Sequence, residues 1–245
     1  MKPFIFEARN GIHIIDLTKT LTQLEKACDF LAASVRKGGK TLFVGTKKQA
    51  QTAIKETATA SGQYYVTQRW LGGTLTNFAT IKRSLARLKE IEKMEADGTI
   101  NNYVKQEQSV IRREAARLVK FFEGIQTMEK MPGAMFVVDI KREHNAVAEA
   151  RRLKIPIVAM VDTNCDPDLV DYPIPANDDA IRSVRLILAT IGQTVTQAQA
   201  EYETKYARRK TVEEGASAAP ETTTEAAPVA AAPAPAPVET APPAA

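Results

Sequence analysis

"GAMFVVDIKREHNAVAEARRLKIPIVAMVD" occupies residues 133–162. Two apolar runs, 133–139 and 155–162, flank a helical stretch at 142–153, and they close on Asp139 and Asp162. A run that is apolar at nearly every position, rather than at alternate ones, reads as a strand buried on both faces. Strand, helix and strand in that order read as neighbours in a parallel sheet covered by helices.

The same rhythm extends outward. Upstream, "KTLFVGT" (40–46) is a short buried strand, 47–60 a helix broken at Gly62, and "QYYVT" (63–67) another strand. Before these, Leu21, Leu24, Cys28, Leu31 and Val35 form one stripe of a helix over 18–37, stopped by Gly38-Gly39. Downstream, "DYPIPAN" (171–177) is a Pro-flanked edge strand, and a helix over 179–209 closes the body. The expected fold is α/β: three layers around a five-stranded parallel sheet. At the start, "PFIFEARNGIHIIDL" reads as a small hairpin turning at Asn10-Gly11.

One insertion breaks the rhythm. About 65 residues without a strand separate the second and third sheet strands. Phe78, Ile81, Leu85, Leu88 and Ile91 step by three and four; after a turn at Asp97-Gly98, Val104, Ile111, Leu118 and Ile125 repeat every seven. Phe121, Phe122 and Met128 widen that second stripe. The pattern predicts an antiparallel helical hairpin of coiled-coil type, its second arm reaching ~40 Å at 1.5 Å per residue. The expected division is a core of 1–66 and 134–214, an insert of 67–133, and a tail of 215–245. The tail is rich in Ala, Pro, Thr and Glu and has too little apolar surface to offset its chain entropy, so it is expected to be disordered.

Composition narrows the function. The 245 residues include 33 Lys and Arg against 29 Asp and Glu, a net charge of +4. Residues 215–245 hold three acids (Glu221, Glu225, Glu239) and no base, which leaves +7 on residues 1–214. A basic body fits a polyanionic partner. No apolar run is long enough to span a membrane, and the first residues show no secretion signal. Cys28 and Cys165 stand apart from any CxxC pair, which points to a reducing cytoplasm and no disulfide framework.

Searches for enzyme chemistry end weakly. "SVRKGGKT" (34–41) carries Ser34 where a phosphate loop needs glycine, and it precedes a strand instead of following one. Gly45 in "VGTKKQAQ" is single, so a tight turn is the plainer reading, though Lys47 and Lys48 open a helix and suit a phosphate. Asp139 and Asp162 lie on the sheet edge where open α/β folds bind ligands, and either they serve a nucleotide or metal site or they hold the backbone of the next turns. His13 and His144 lack the partners of a catalytic set, and Cys28 lies on a core stripe. No catalytic residue, metal or cofactor is called.

The basic positions favour nucleic acid. Lys2 and Arg9 lie on the N-terminal arm, Arg69 precedes Trp70, Lys82 and Arg83 lie on the first hairpin helix, and Arg112 and Arg113 on the second. Arg208, Arg209 and Lys210 end the last helix. Singly each is an ordinary solvated charge; together with Lys47 and Lys48 they are the candidate RNA contacts. In "RWLGGTLTNF" (69–78), Trp70 reads as core, Gly72 and Gly73 as a turn into the hairpin, and Thr74, Thr76 or Asn77 as the helix cap.

"RWLGGTLTNF", "FVGTKKQA", "FEARNGIHIIDL" and the run from "PGAMFVVD" through "PIPANDDAIRSVRLI" closely resemble the bacterial ribosomal protein S2 family, over residues 1 to about 205. The resemblance implies a flavodoxin-like core with an inserted hairpin. It also implies a structural, non-catalytic role on the small ribosomal subunit in the cytoplasm. The partners implied are small-subunit (16S-type) rRNA and neighbouring ribosomal proteins, with a part in retaining the mRNA-binding protein S1, and neither a membrane nor a small-molecule substrate. Family members usually carry a His-Phe-Gly-His motif and a Trp-Asn-Pro-Lys stretch just ahead of "MKPFIF"; this chain starts at that methionine, and a late-assigned start is the expected reason. A helical-hairpin adaptor without salt-sensitive RNA binding, and a nucleotide enzyme built on Asp139, Asp162 and Lys47, are the alternatives.

Overall fold

The structure, a computed structural model, describes the backbone of residues 1–217 and the side chains of residues 1–206. Met1–Tyr206 form one compact unit, and Ala207 begins a second. The expected tail lies outside the described residues from 218 onward, as do the side chains of Arg208, Arg209 and Lys210.

Strands β1 (Ile5–Arg9) and β2 (Ile12–Ile15) pair antiparallel across Asn10-Gly11. Asn10 at φ 50° and Gly11 at φ 79° supply the two positive angles that match a tight turn to the strand twist. Helix α1 (Leu17–Arg36) follows, capped by Asp16, whose carboxylate accepts from Thr18 N at 3.0 Å. Then come β3 (Thr41–Val44), α2 (Lys48–Ala60), β4 (Tyr64–Val66), α3 (Phe78–Ala96), α4 (Lys105–Phe122), β5 (Ala134–Val138), α5 (His144–Arg152), β6 (Ile157–Val161), β7 (Tyr172–Pro175) and α6 (Ile181–Ser217).

The sheet runs β4-β3-β5-β6-β7 and every pairing is parallel. Counted from β3, that is the order 2-1-3-4-5 of the flavodoxin-like fold. The central strands β3, β5 and β6 are buried at every position, as their unbroken apolar runs require, while the edge strands β4 and β7 are partly buried. Phe43, Phe136, Val158 and Met160 face a cluster shared with α1, α2 and α6. Leu42, Val44, Met135, Val137, Ile157 and Ala159 face a second cluster with α3, α5 and the end of the hairpin. Pro173 and Pro175 sit in β7, at the edge, where missing N–H groups disturb no central ladder.

The insert forms two helices that pack on each other. Arg87 meets Glu114 at 3.8 Å and Arg112 meets Glu95 at 3.7 Å, so residue numbers rise along one helix as they fall along the other. Phe78, Ile81, Leu85, Leu88 and Ile91 are all buried. The second helix is shorter than its heptads predict. It ends at Phe122, and its 18 residues span about 27 Å instead of ~40 Å. Val104 stands just before it, 67% exposed. At the other end Glu123–Ile125 tighten into a 3-10 turn. A β-carbon on Gly124 would overlap the Tyr65 carbonyl, so the chain is drawn against β4 here and the α-helix stops. Among the described residues no helix is long and apolar enough to cross a membrane.

Candidate nucleic-acid interface

In a sheet of this order, ligands bind outside the strand ends at the reversal between β3 and β5. In this chain its own side chains occupy that crevice. Glu143, 3% exposed, accepts from Thr46 N at 2.9 Å and Thr46 Oγ1 at 2.5 Å, while Arg142 Nε donates to Thr46 Oγ1 at 2.8 Å. Lys47 Nζ lies 2.7 Å from Asp178 Oδ1, 2.7 Å from Asp179 Oδ1 and 3.9 Å from Asp139 Oδ2. Lys47 was expected to meet an RNA phosphate. Its ammonium is instead held inside a ring of carboxylates, because Asp178 is buried and needs a counter-charge. Burial works against charge on Lys47, but Asp178 and Asp179 outweigh it and raise its pKa. Burial likewise raises the pKa of Asp178, and Lys47 pulls it back.

The two strand-end aspartates act on the backbone. Asp139, at φ 68°, accepts from Arg142 N at 3.0 Å, and Asp162 accepts from Thr163 N at 2.6 Å. Carboxylate oxygens of Asp162, Asp178 and Asp179 come within 4.8 Å of one another. The convergence of Asp178 on Lys47 is a contact across 131 residues, and no local pattern announces it.

The loop of residues 69–77 turns on one residue that sequence reasoning missed. Glu149, on α5, reaches into it with both oxygens. Oε1 accepts from Trp70 Nε1 at 3.0 Å and Gly73 N at 2.8 Å. Oε2 accepts from Leu75 N at 3.0 Å, Thr76 N at 3.1 Å and Thr76 Oγ1 at 3.1 Å. The glycine loop is thus an anion cradle as its sequence hints, but the anion is internal. Burial alone would raise the Glu149 pKa; the bonds from Trp70, Thr76, Gly73 and Leu75 prevail and lower it. Trp70 is core, as expected, at 7% exposure. The expected side-chain cap is corrected: Asn77 holds the cap position of α3, but its side chain bonds no backbone N–H, and its Oδ1 accepts from Thr80 Oγ1 at 2.9 Å. Thr74 Oγ1 donates back to Leu71 O at 2.5 Å.

Lys2, Arg9, Lys48, Arg69, Lys82, Arg83, Arg112 and Arg113 are all exposed. Arg9 pairs with Glu7 at 3.2 Å, and Lys82 Nζ sits 4.9 Å from the Phe78 ring centroid. Along the C-terminal half of α4 the charges separate by face, while Glu107, in its first turn, is exposed. Lys105, Arg112, Arg113, Arg117 and Lys120 are exposed, whereas half-buried Glu114 turns inward to Arg87. Shallow grooves flank Arg113, one bordered by Lys105, Ser109 and Arg112, the other by Val110 and Arg117. The sequence exposed the count of bases here, but interspersed acids hid their separation until the helix face was known.

A basic surface and a sealed crevice exclude little by themselves; the comparisons with known proteins decide. The family profile described as "Ribosomal protein S2" matches residues 1–198. The chain belongs to the ribosomal protein S2 family. It is 56% identical, over 199 residues, to the small ribosomal subunit protein uS2 of Roseiflexus sp. (strain RS-1), an alignment covering 81% of this chain and 76% of that relative. A member of the S2 family is a structural, non-enzymatic constituent of the small ribosomal subunit and works on the ribosome in the cytoplasm. The S2 assignment gives the crevice its meaning: a nucleotide-binding topology serves here as scaffold.

Proposed function

We propose that this S2-family chain binds small-subunit rRNA and neighbouring ribosomal proteins, and that the outward basic face of α4 is a principal rRNA contact. The observation that carries the reading is the separation of charge along the C-terminal half of α4, beyond exposed Glu107 in its first turn. Bases project to solvent while Glu114 is turned inward to Arg87, so a phosphate backbone would meet Arg113 and Arg117 without facing Glu114. Lys2, Arg9, Lys48, Arg69, Lys82, Arg83 and Arg112 join this set, with Arg208, Arg209 and Lys210 on the final helix. In this reading 1–66 and 134–214 act as the core, 67–133 as the RNA-reaching insert and 215–245 as a tail. Exposed Phe6, Ile12, Leu17 and Leu21 near the N-terminus offer apolar area to a neighbouring protein, and protein S1 is a proposed partner in the same region.

The test is binding of the purified chain to small-subunit rRNA across a salt series. Each phosphate contact contributes roughly 0.7–0.9 to the slope of log K against log salt. Reversing Arg113 and Arg117 to glutamate should lower affinity at least tenfold and flatten that slope. An unchanged slope would remove α4 from the interface; no salt-sensitive binding by the unmodified chain would overturn the rRNA reading itself.

A further inference from the structure

We infer that Glu149 is a positioning residue, an internal anion that fixes the angle at which the α3–α4 hairpin leaves the sheet. The inference rests on the proposed rRNA role of the hairpin for its functional meaning, but not for its geometry.

The chain enters the insert through residues 69–77, after β4, and α3 starts at Phe78. In that stretch the N–H groups of Thr74 and Asn77 bond within the loop, to Leu71 O and Gly73 O. Those of Gly73, Leu75 and Thr76 all point to Glu149. The two oxygens divide the work. Oε1 grips the end nearer the sheet, through Trp70 and Gly73, and Oε2 grips the end nearer the helix, through Leu75 and Thr76. One rigid carboxylate therefore spans the joint. Glu149 is itself fixed, since Ala146, Val147 and Ala150 bury the face of α5 that carries it into place. Gly73, at φ 86°, turns its N–H into the cradle.

Apolar contact alone would leave the joint loose. Phe78, Ile81 and Leu85 anchor the base of α3 in the core, but such contacts are non-directional, and small rotations about them cost little. Hydrogen bonds to a charged acceptor are short, directional and about twice as strong as neutral ones. Removing the carboxylate leaves three backbone donors and the indole N–H without their acceptor, and the loop must rearrange to reach water or another anion.

The experiment measures the joint directly. Spin labels at Asn101→Cys, in the turn between the hairpin helices, and Glu25→Cys, on α1, report the hairpin-to-body distance by pulsed electron spin resonance on the full chain. Native labelling spares Cys28 and Cys165, which are buried. Expected is a narrow distribution in the parent, at least twofold broader in E149Q, where the isosteric amide presents N–H to N–H. E149A should broaden likewise and narrow again with added formate, which refills the cradle. A general loss of stability would move an unfolding midpoint but would not be reversed by formate. A narrow, unshifted distribution in folded E149Q would overturn the inference. Should E149A unfold, refolding by formate supports it, while failure to refold together with an unbroadened E149Q overturns it. rRNA affinity of E149Q is read in parallel, with a loss of about tenfold at unchanged salt slope expected. If the parent binds no rRNA, the functional reading fails and the geometric one still stands or falls on the distances.

Discussion

Replacing Lys47 with methionine keeps the length of the stem and removes its charge. In the native fold that charge lies within 4 Å of Asp139, Asp178 and Asp179. Asp178 depends on it most: its side chain is 2% exposed, and its second oxygen has no hydrogen-bond partner. Removing one member of a buried ion pair costs roughly 3–5 kcal/mol. A ceiling follows from proton linkage, because Asp178 can take up a proton instead of staying charged. Holding an ordinary carboxyl neutral at pH 7 costs about 4 kcal/mol, at 1.36 kcal/mol for each of about three pH units. K47M should therefore lose about 3 kcal/mol at pH 7, a drop in midpoint of roughly 6–12 °C for a chain of this size. The pH dependence has a definite sign. The Asp178 pKa is already raised in the folded state, and without Lys47 it rises further. Stability linked to a raised carboxyl is present at low pH and is lost as pH rises through the folded value. The K47M deficit should thus shrink between pH 7.5 and pH 5 in urea unfolding followed by circular dichroism. The double variant K47M/D178N should recover most of it. A deficit below about 1 kcal/mol that does not vary with pH, or a double variant no better than K47M, would refute the argument that Lys47 neutralises a buried charge.

Two further outcomes are simple to check. Gly72 and Gly73 are adjacent but not equivalent: a β-carbon on Gly72 meets nothing within 4 Å, whereas Gly73 has φ 86° and would bring its β-carbon to 3.1 Å from Asn77 Cβ. Thermal or urea melts should find G73A destabilised by about 1–2 kcal/mol and G72A within about 0.5 kcal/mol of the parent. Burial is the first cause that pushes both thiols, Cys28 and Cys165, above their ordinary pKa. Neither should react appreciably with a disulfide reagent in native buffer, and both should react in urea; prompt native reaction of either would contradict its burial.

Much of the fold was legible because it is written in local signals. Runs such as Ala134–Val138 and Ile157–Val161 are apolar at every position, and only a sheet covered on both faces calls for that. Asn10-Gly11 marked its turn through backbone angles that few other pairs adopt. The length of α4 was misjudged because the heptad stripe continues past the helix: Ile125 and Met128 lie beyond Phe122 yet are buried, in the cluster that covers one face of the sheet. Apolar periodicity reports burial, and it does not say which neighbour provides it. The site was less legible. Lys47 looked like a phosphate ligand because its environment is set by Asp178 and Asp179, far along the chain. Glu149 sat unnoticed in "AEARR", where a carboxylate on an amphipathic helix resembles any solvated charge. The one hint was on the other side, in a loop with more N–H donors than its own acceptors could satisfy.

The placement of the hairpin also bears on how quickly the sheet can close. Val44 and Val137 are paired neighbours in the sheet, with roughly ninety residues of chain between them. Joining strands across so long a gap is entropically slow, since the gap must be bridged before any pairing is rewarded. An insert that folds on its own contacts would relieve this. Its helices meet through contacts that are short-range in sequence, and its two ends, at Phe78 and Phe122, share one apolar cluster. A hairpin that forms first brings the two halves of the core together and removes most of the wandering chain from the search. Each halving of that chain is worth about 0.6 kcal/mol of closure entropy. By folding first, the segment inserted between β4 and β5 would shorten the search that closes the sheet.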